Sequence, residues 1–381
     1  MRPIVFAALL AACNSSPGTP KPPTGTPPSL ALGVFTDISP PGLDLVKTFG
    51  APWVELDPTS PYTLYLCVDT QGLWKTTDGG TSWRRIGNLD SPVAVRVDPR
   101  DGNHLLATQG VRGMTQGFFI SHDGGETFTI PPAFETTSPT HDITSLAVDP
   151  TDFDHVLLGS HSPWPGLQNA GILESKDGGK TFIVHQPRTE FNSGTMGVNF
   201  LYDPVHHQGD ANTWLIGTDS NGLWRTTDAG GTWTRITPEL GSDGKPAWPD
   251  FSITHGGQQL YYASDGTAYT GLFVYPARST DNGLTWTMIN TLDYASYYSI
   301  IGDGKNLYTS ASFTGDNGGH GMLPYYTSKE TDGLTWTKFD PNGTGPQTFT
   351  DGPYRQVFDA TNRIIYSANW RVGLIALKVG P

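Results

Sequence analysis

Thr76-Thr77-Asp78-Gly79-Gly80-Thr81-Ser82-Trp83 decides the fold, because the same octapeptide pattern returns at residues 121–128, 175–182, 226–233 and 279–286. A sixth, degenerate copy ends in Gly333-Leu334-Thr335-Trp336. The closing aromatics stand at 83, 128, 182, 233, 286 and 336, so neighbouring copies lie 45 to 54 residues apart. That is the length of one propeller blade. Chemically the octapeptide is a hairpin turn: the aspartate accepts backbone N–H bonds, the glycines supply φ > 0, and the aromatic packs between blades. Asp78, Asp123, Asp177, Asp228 and Asp281 are therefore expected to be structural, with no part in catalysis.

Outward from each turn the pattern continues. A strand such as Gly72-Leu73-Trp74-Lys75 precedes the box, another such as Leu64 to Val68 precedes that, and an Asp-Pro pair closes a first strand in Val54-Glu55-Leu56-Asp57-Pro58, Val95-Arg96-Val97-Asp98-Pro99, Leu146-Ala147-Val148-Asp149-Pro150 and Leu201-Tyr202-Asp203-Pro204. Each unit reads strand A, Asp-Pro turn, strand B, loop, strand C, box, strand D. A seventh unit, residues 356–379, has three strands and no box, and Leu32-Gly33-Val34-Phe35-Thr36 is the expected donor of its fourth strand. Closing the ring in this way leaves no long unpaired edge. The expectation is an all-β chain forming a single seven-bladed β-propeller of four-stranded antiparallel blades over residues 31–381.

Composition agrees: among 381 residues there are 46 Gly and 31 Pro, 11% aromatic and only 15% charged residues, which suits short strands joined by turns. The net charge of -13 makes nucleic acid an unsuitable partner. No apolar run past the N-terminus approaches the ~20 residues needed to span a bilayer. Two cysteines, Cys13 and Cys67, stand in different surroundings, and Cys67, in Leu64-Tyr65-Leu66-Cys67-Val68, reads as a buried thiol. No glycine-rich phosphate loop, CxxC, HExxH or GxSxG motif is present, so neither cofactor nor metal is expected.

At the N-terminus Arg2 precedes an apolar stretch, Ile4 to Ala12, ending in Leu10-Ala11-Ala12-Cys13. This resembles a bacterial lipobox, and the resemblance implies that residues 1–13 are an export signal and that Cys13 carries lipid. Residues 14–30 hold six prolines among Ser, Thr and Gly and are expected to form an extended spacer. The implied location is the bacterial cell envelope, on the surface or the periplasmic side, with the membrane engaged only through the lipid anchor.

Strands alternate in direction, so Asp-Pro turns and boxes open on one face, and the B–C and D–A loops on the other. The second face carries the insertions, which directs the search for a ligand there. Ring candidates are Trp164, Trp248, Tyr298, Tyr354 and Trp370; polar candidates are Arg112, His141, Asp142, His161, Glu190, Asp250, Asp293 and Arg355. Exposed rings suit stacking against sugar faces, whereas rings that pack on one another would instead lid the channel. His141-Asp142 begins the third first-strand and is expected to aim one side chain at the channel.

The box Ser/Thr-x-Asp-x-Gly-x-Thr-Trp resembles the bacterial neuraminidase repeat, shared by sialidases, xyloglucan-type glycoside hydrolases, sortilin-like receptors and photosystem II assembly factors. Functions diverge across that class. The Arg-Ile-Pro element of sialidases is missing, so sialidase activity is not expected; xyloglucan hydrolases place their acids between two propellers, a cleft one propeller cannot form. The expected function is engagement of a carbohydrate polymer on the loop-rich face by a monomer, as a binding protein, a glycoside hydrolase or a polysaccharide lyase. In a hydrolase two of Asp142, Glu190, Asp250 and Asp293 would be acid and base; in a lyase a Tyr or His such as His141 would abstract a proton while Arg355 or Arg112 neutralises a uronate. The rival is a scaffold holding an envelope protein.

Overall fold

The computed structural model describes residues 26–381 apart from 47, 49, 111, 192–193, 219–220, 237–258, 273–274, 294, 313–322, 344 and 347. Cys13, Trp248 and Asp250 lie outside the described residues.

Seven antiparallel sheets follow one another along the chain, each with its first strand innermost. The inner strands are Trp53–Leu56, Pro92–Asp98, Ile143–Asp149, Gly197–Phe200, Leu260–Tyr262, Ile300–Gly302 and Pro353–Asp359. Blade 7 gains its fourth strand from the N-terminus: Phe35–Asp37 pairs with Gly373–Lys378, Phe35 opposite Leu377. Blade 2 departs from the pattern, its outer strand shrinking to one antiparallel bridge between Ile120 and Thr129. A short helix, Pro132–Thr137, follows, with proline in its first turn and Phe134 fully buried against Phe118 and Phe182.

The core lies between blades. Leu64–Val68 is buried at every position, because a strand sandwiched between two sheets has no solvent face and so reads as an unbroken apolar run. Its alternate side chains feed different cores: Tyr65 and Cys67 pack with Leu105, Leu106 and Phe118 of blade 2, whereas Leu64, Leu66 and Val68 pack with Tyr366, Ala368 and Leu374 of blade 7. Cys67 is fully buried, and that burial pushes its thiol pKa up. Outer strands such as Thr337–Lys338 are exposed.

Both recurrent corners are held by aspartate. In the first octapeptide Asp78 accepts from the Ser82 amide at 2.9 Å, the Ser82 hydroxyl at 2.6 Å and the Thr76 hydroxyl at 2.7 Å. Gly79 and Gly80 sit at φ 70° and 98°, and a Cβ on Gly80 would meet Ile38 at 2.8 Å. The same bonds recur at Asp123, Asp177, Asp228 and Asp281. At the other corner the four Asp-Pro turns are anchored by a backbone N–H two residues on, to Asp57, Asp98, Asp149 and Asp203. Asp265, Asp303 and Asp359 make the equivalent bond without proline. All seven A–B corners are thus aspartate turns.

Burial opposes the Asp78 charge, but the Ser82 and Thr76 bonds outweigh it and hold its pKa below the ordinary 3.8. Asp78→Ala is expected to cost about 1–3 kcal/mol, the sum of three modest hydrogen bonds, read as a lower denaturation midpoint at neutral pH. Because the folded pKa is depressed, that cost should shrink as pH falls below about 4.

Candidate functional site

Two places near the propeller axis gather polar and aromatic groups: the loop-rich face and the central channel.

On the loop-rich face, Tyr298, Tyr354 and Trp370 come together from three segments of chain. Ring centroids are 4.7 Å apart for Tyr298–Tyr354 and 5.5 Å for Tyr354–Trp370. All three are at least nine-tenths buried, so they are a packed floor and not free platforms. Trp164 is likewise buried, lying over Gly171, where a Cβ would meet its ring at 2.5 Å. Arg112 lies beside this floor, 3.8 Å from Asp69, and its charge acts on Tyr354 against the burial that raises the phenol pKa. Burial in turn lowers the Arg112 pKa.

The polar candidates are mostly engaged by neighbours. His141 is exposed, 3.6 Å from Glu135. Asp142 lies 3.4 Å from the Nδ1 of His161, which also lies 3.0 Å from the Ser162 hydroxyl. Neither His141 nor Asp142 lines the channel cavity; the inner strand starts after them, at Ile143. Glu190 accepts two bonds from Arg188, at 2.9 and 3.2 Å, which hold its pKa below the usual carboxylate value. Asp293 accepts from the Tyr326 hydroxyl, and its backbone carbonyl accepts from Tyr297 at 2.9 Å.

Arg355 belongs elsewhere. The loop reading puts it on the rim, but Pro353–Asp359 is the inner strand of blade 7, and Arg355 lines the channel. There a cavity of about 220 Å³ is bounded by Trp53, Arg96, Val148, Asn199, Tyr202, Tyr262 and Arg355, among others. The Arg355 guanidinium stacks 3.9 Å from the Trp53 ring centroid and lies 3.3 Å from Glu55. Arg96 approaches the other Glu55 oxygen at 3.4 Å. Trp53 Nε1 donates to the Val95 carbonyl at 2.8 Å and to Glu55 at 3.3 Å. Burial lowers the Arg355 pKa to about 10, with Glu55 opposing the shift. Glu55 and Arg96 were not among the sequence candidates, although a charged residue in the middle of an innermost strand, as in Val54-Glu55-Leu56 and Val95-Arg96-Val97, can only face the axis or a neighbouring blade.

No family model matches the chain. It is 30% identical over 158 residues to an oligoxyloglucan-reducing end-specific xyloglucanase of Neosartorya fischeri, covering 39% of this chain and 18% of that protein. It is 25% identical over 242 residues to a xyloglucanase of Hypocrea jecorina, covering 61% of this chain and 25% of that protein. The chain thus spans a quarter or less of the length of these curated relatives. Solved structures of similar fold include an extracellular domain of a two-component system from B. thetaiotaomicron, with a TM-score of 0.60, 13% identity and coverage of 88% of this chain and 40% of that one. An ancestral GH74 enzyme gives a TM-score of 0.56 at 16% identity, covering 84% of this chain and 43% of that one. YCF48 bound to a D1 peptide gives 0.56 at 14% identity, covering 93% and 100%. At these identities the structures share the propeller fold alone.

Proposed function

We propose that this protein is an exported, Asp-box-type propeller that binds a carbohydrate polymer on its loop-rich face, held off the envelope by residues 14–30 and a lipid on Cys13. The similarity to xyloglucan-directed enzymes carries the reading. Arg112 supports it: part-exposed beside the packed floor of Tyr298, Tyr354 and Trp370, it is a rigidly backed donor that sugar hydroxyls can meet. Binding is favoured over cleavage because each described acid candidate is engaged by a neighbour, Glu190 by Arg188, Asp293 by Tyr326 and Asp142 by His161.

Residues 26–381 titrated with xyloglucan oligosaccharides in a calorimeter should show binding, and Trp370→Ala should weaken it by about tenfold, the equivalent of ~1.4 kcal/mol, with an unchanged circular dichroism spectrum. Release of reducing ends would convert the reading to a hydrolase. No binding to any polysaccharide on a glycan array would transfer it to an envelope-protein scaffold.

A further inference from the structure

Among the described residues the channel holds two guanidinium groups against one carboxylate. Arg96 and Arg355 both approach Glu55, one on each of its oxygens, and Glu55 also accepts from Trp53. One carboxylate neutralises one arginine, so a unit of positive charge is left over on the axis of a chain whose net charge is -13. Arg355 is one of the more enclosed charges of the molecule, its side chain 12% exposed. Its Nε is buried and meets no acceptor among the described residues. A buried guanidinium donor left without an acceptor is costly. The stacked Trp53 ring fixes the plane of that guanidinium, so its fork is already oriented.

The space in front of these groups is of a defined size. About 220 Å³ exceeds a few water molecules at ~30 Å³ each and accommodates one sugar-sized or smaller molecule. Asn199, Tyr202 and Tyr262 complete the lining from blades 4 and 5, with the Tyr262 hydroxyl turned to Asn282, to which it donates at 3.1 Å. Pro150 borders the cavity as well; it belongs to an Asp-Pro turn, so the cavity reaches towards the face opposite the long loops.

From this geometry we infer a second binding site: the axial cavity takes the carboxylate of a small acidic molecule between Arg96 and Arg355. Paired guanidiniums suit a planar carboxylate, which accepts two parallel N–H bonds from each. The remaining volume fits the ring of a uronic acid or the body of an organic acid of similar size. This site lies apart from the loop-rich face and does not depend on the polymer-binding reading.

Calorimetric titration of residues 26–381 with galacturonate, its methyl ester, galactose and acetate tests it. Galacturonate should bind, and its methyl ester and galactose should not. Acetate binding as tightly as galacturonate would assign the site to plain carboxylates; weaker acetate would assign it to the sugar acid. Arg96→Gln should weaken binding by about tenfold or more, as expected for loss of a charged hydrogen bond, while leaving xyloglucan binding on the other face unaltered. Glu55→Gln supplies a control that misfolding cannot imitate: it keeps an oxygen for Trp53 but frees both guanidiniums, and should tighten galacturonate binding by about tenfold. The inference is overturned if the ester binds as well as the acid, if Glu55→Gln leaves affinity unchanged, or if neither wild type nor Glu55→Gln binds any of the acids.

Discussion

Glu174→Ala should lower the unfolding free energy by about 3–5 kcal/mol, as expected when one partner of a buried charged network is removed. Glu174 is 1% exposed and meets three nitrogen-bearing side chains: His155 at 2.8 Å, His185 at 3.0 Å and Lys176 at 3.1 Å. His155 is itself enclosed, its other ring nitrogen 3.1 Å from Asp149 and its ring edge-on to Phe200 at 4.7 Å. The network joins an A–B corner, strand B and strand C of blade 3. Removing the carboxylate leaves His155 facing a void with a single partner. Burial works against the Glu174 charge, but the His155, His185 and Lys176 bonds prevail and hold its pKa at about 2. Burial likewise works against charge on His155, but Asp149 and Glu174 raise its pKa above 6.5.

The pH dependence follows from these directions. A depressed carboxylate stabilises the fold above its ordinary pKa of 4.5 and ceases to do so as pH falls towards 2. A raised histidine stabilises below its ordinary 6.5, and the benefit disappears as pH rises through the folded value. The network therefore contributes most between 4.5 and 6.5. The difference in denaturation midpoint between wild type and Glu174→Ala should be largest there and narrow on both sides. A difference independent of pH would refute the ionic account.

The corners were readable because their chemistry is local. An aspartate bonded to residues two and four positions on leaves the same spacing wherever it is used, so the boxes and Asp-Pro turns identify themselves. The turns at Asp265, Asp303 and Asp359 escape that reading because they lack proline, although they make the same bond. The closing strand was readable too, from a final unit one strand short. Exposure was not. Whether Tyr298, Tyr354 and Trp370 reach solvent depends on how three distant segments pack, and no local pattern encodes it. Arg355 reads as rim because the sequence pattern runs the last loop to Tyr354, whereas the inner strand already begins at Pro353, with a bulge between Pro353 and Arg355. Glu174 and His155 face each other from neighbouring strands, 19 residues apart in sequence; only the strand register, Val156 opposite Ser175, brings them together.

The other large effect concerns closure of the ring. A chain starting at residue 40 should lose cooperative unfolding and self-associate, since Gly373–Lys378 would then present a bare strand edge. The loss extends beyond one ladder. Phe35 sits among Tyr325, Phe349 and Phe339 of blade 6 and the 6–7 connection, at 4.7, 5.3 and 5.9 Å between ring centroids. Ile38 packs on Gly80, and its carbonyl accepts from Trp83 Nε1 at 2.8 Å. The segment thus ties blade 7 to blades 6 and 1 at once. Phe35→Ala gives the graded form, with a cost of about 3–5 kcal/mol for a buried phenylalanine. A peptide of residues 30–40 added in trans should restore the truncated chain, raising its melting temperature with peptide concentration by mass action. A truncated chain as stable as the full one would mean that blade 7 holds the ring with three strands, and the closure argument would fail.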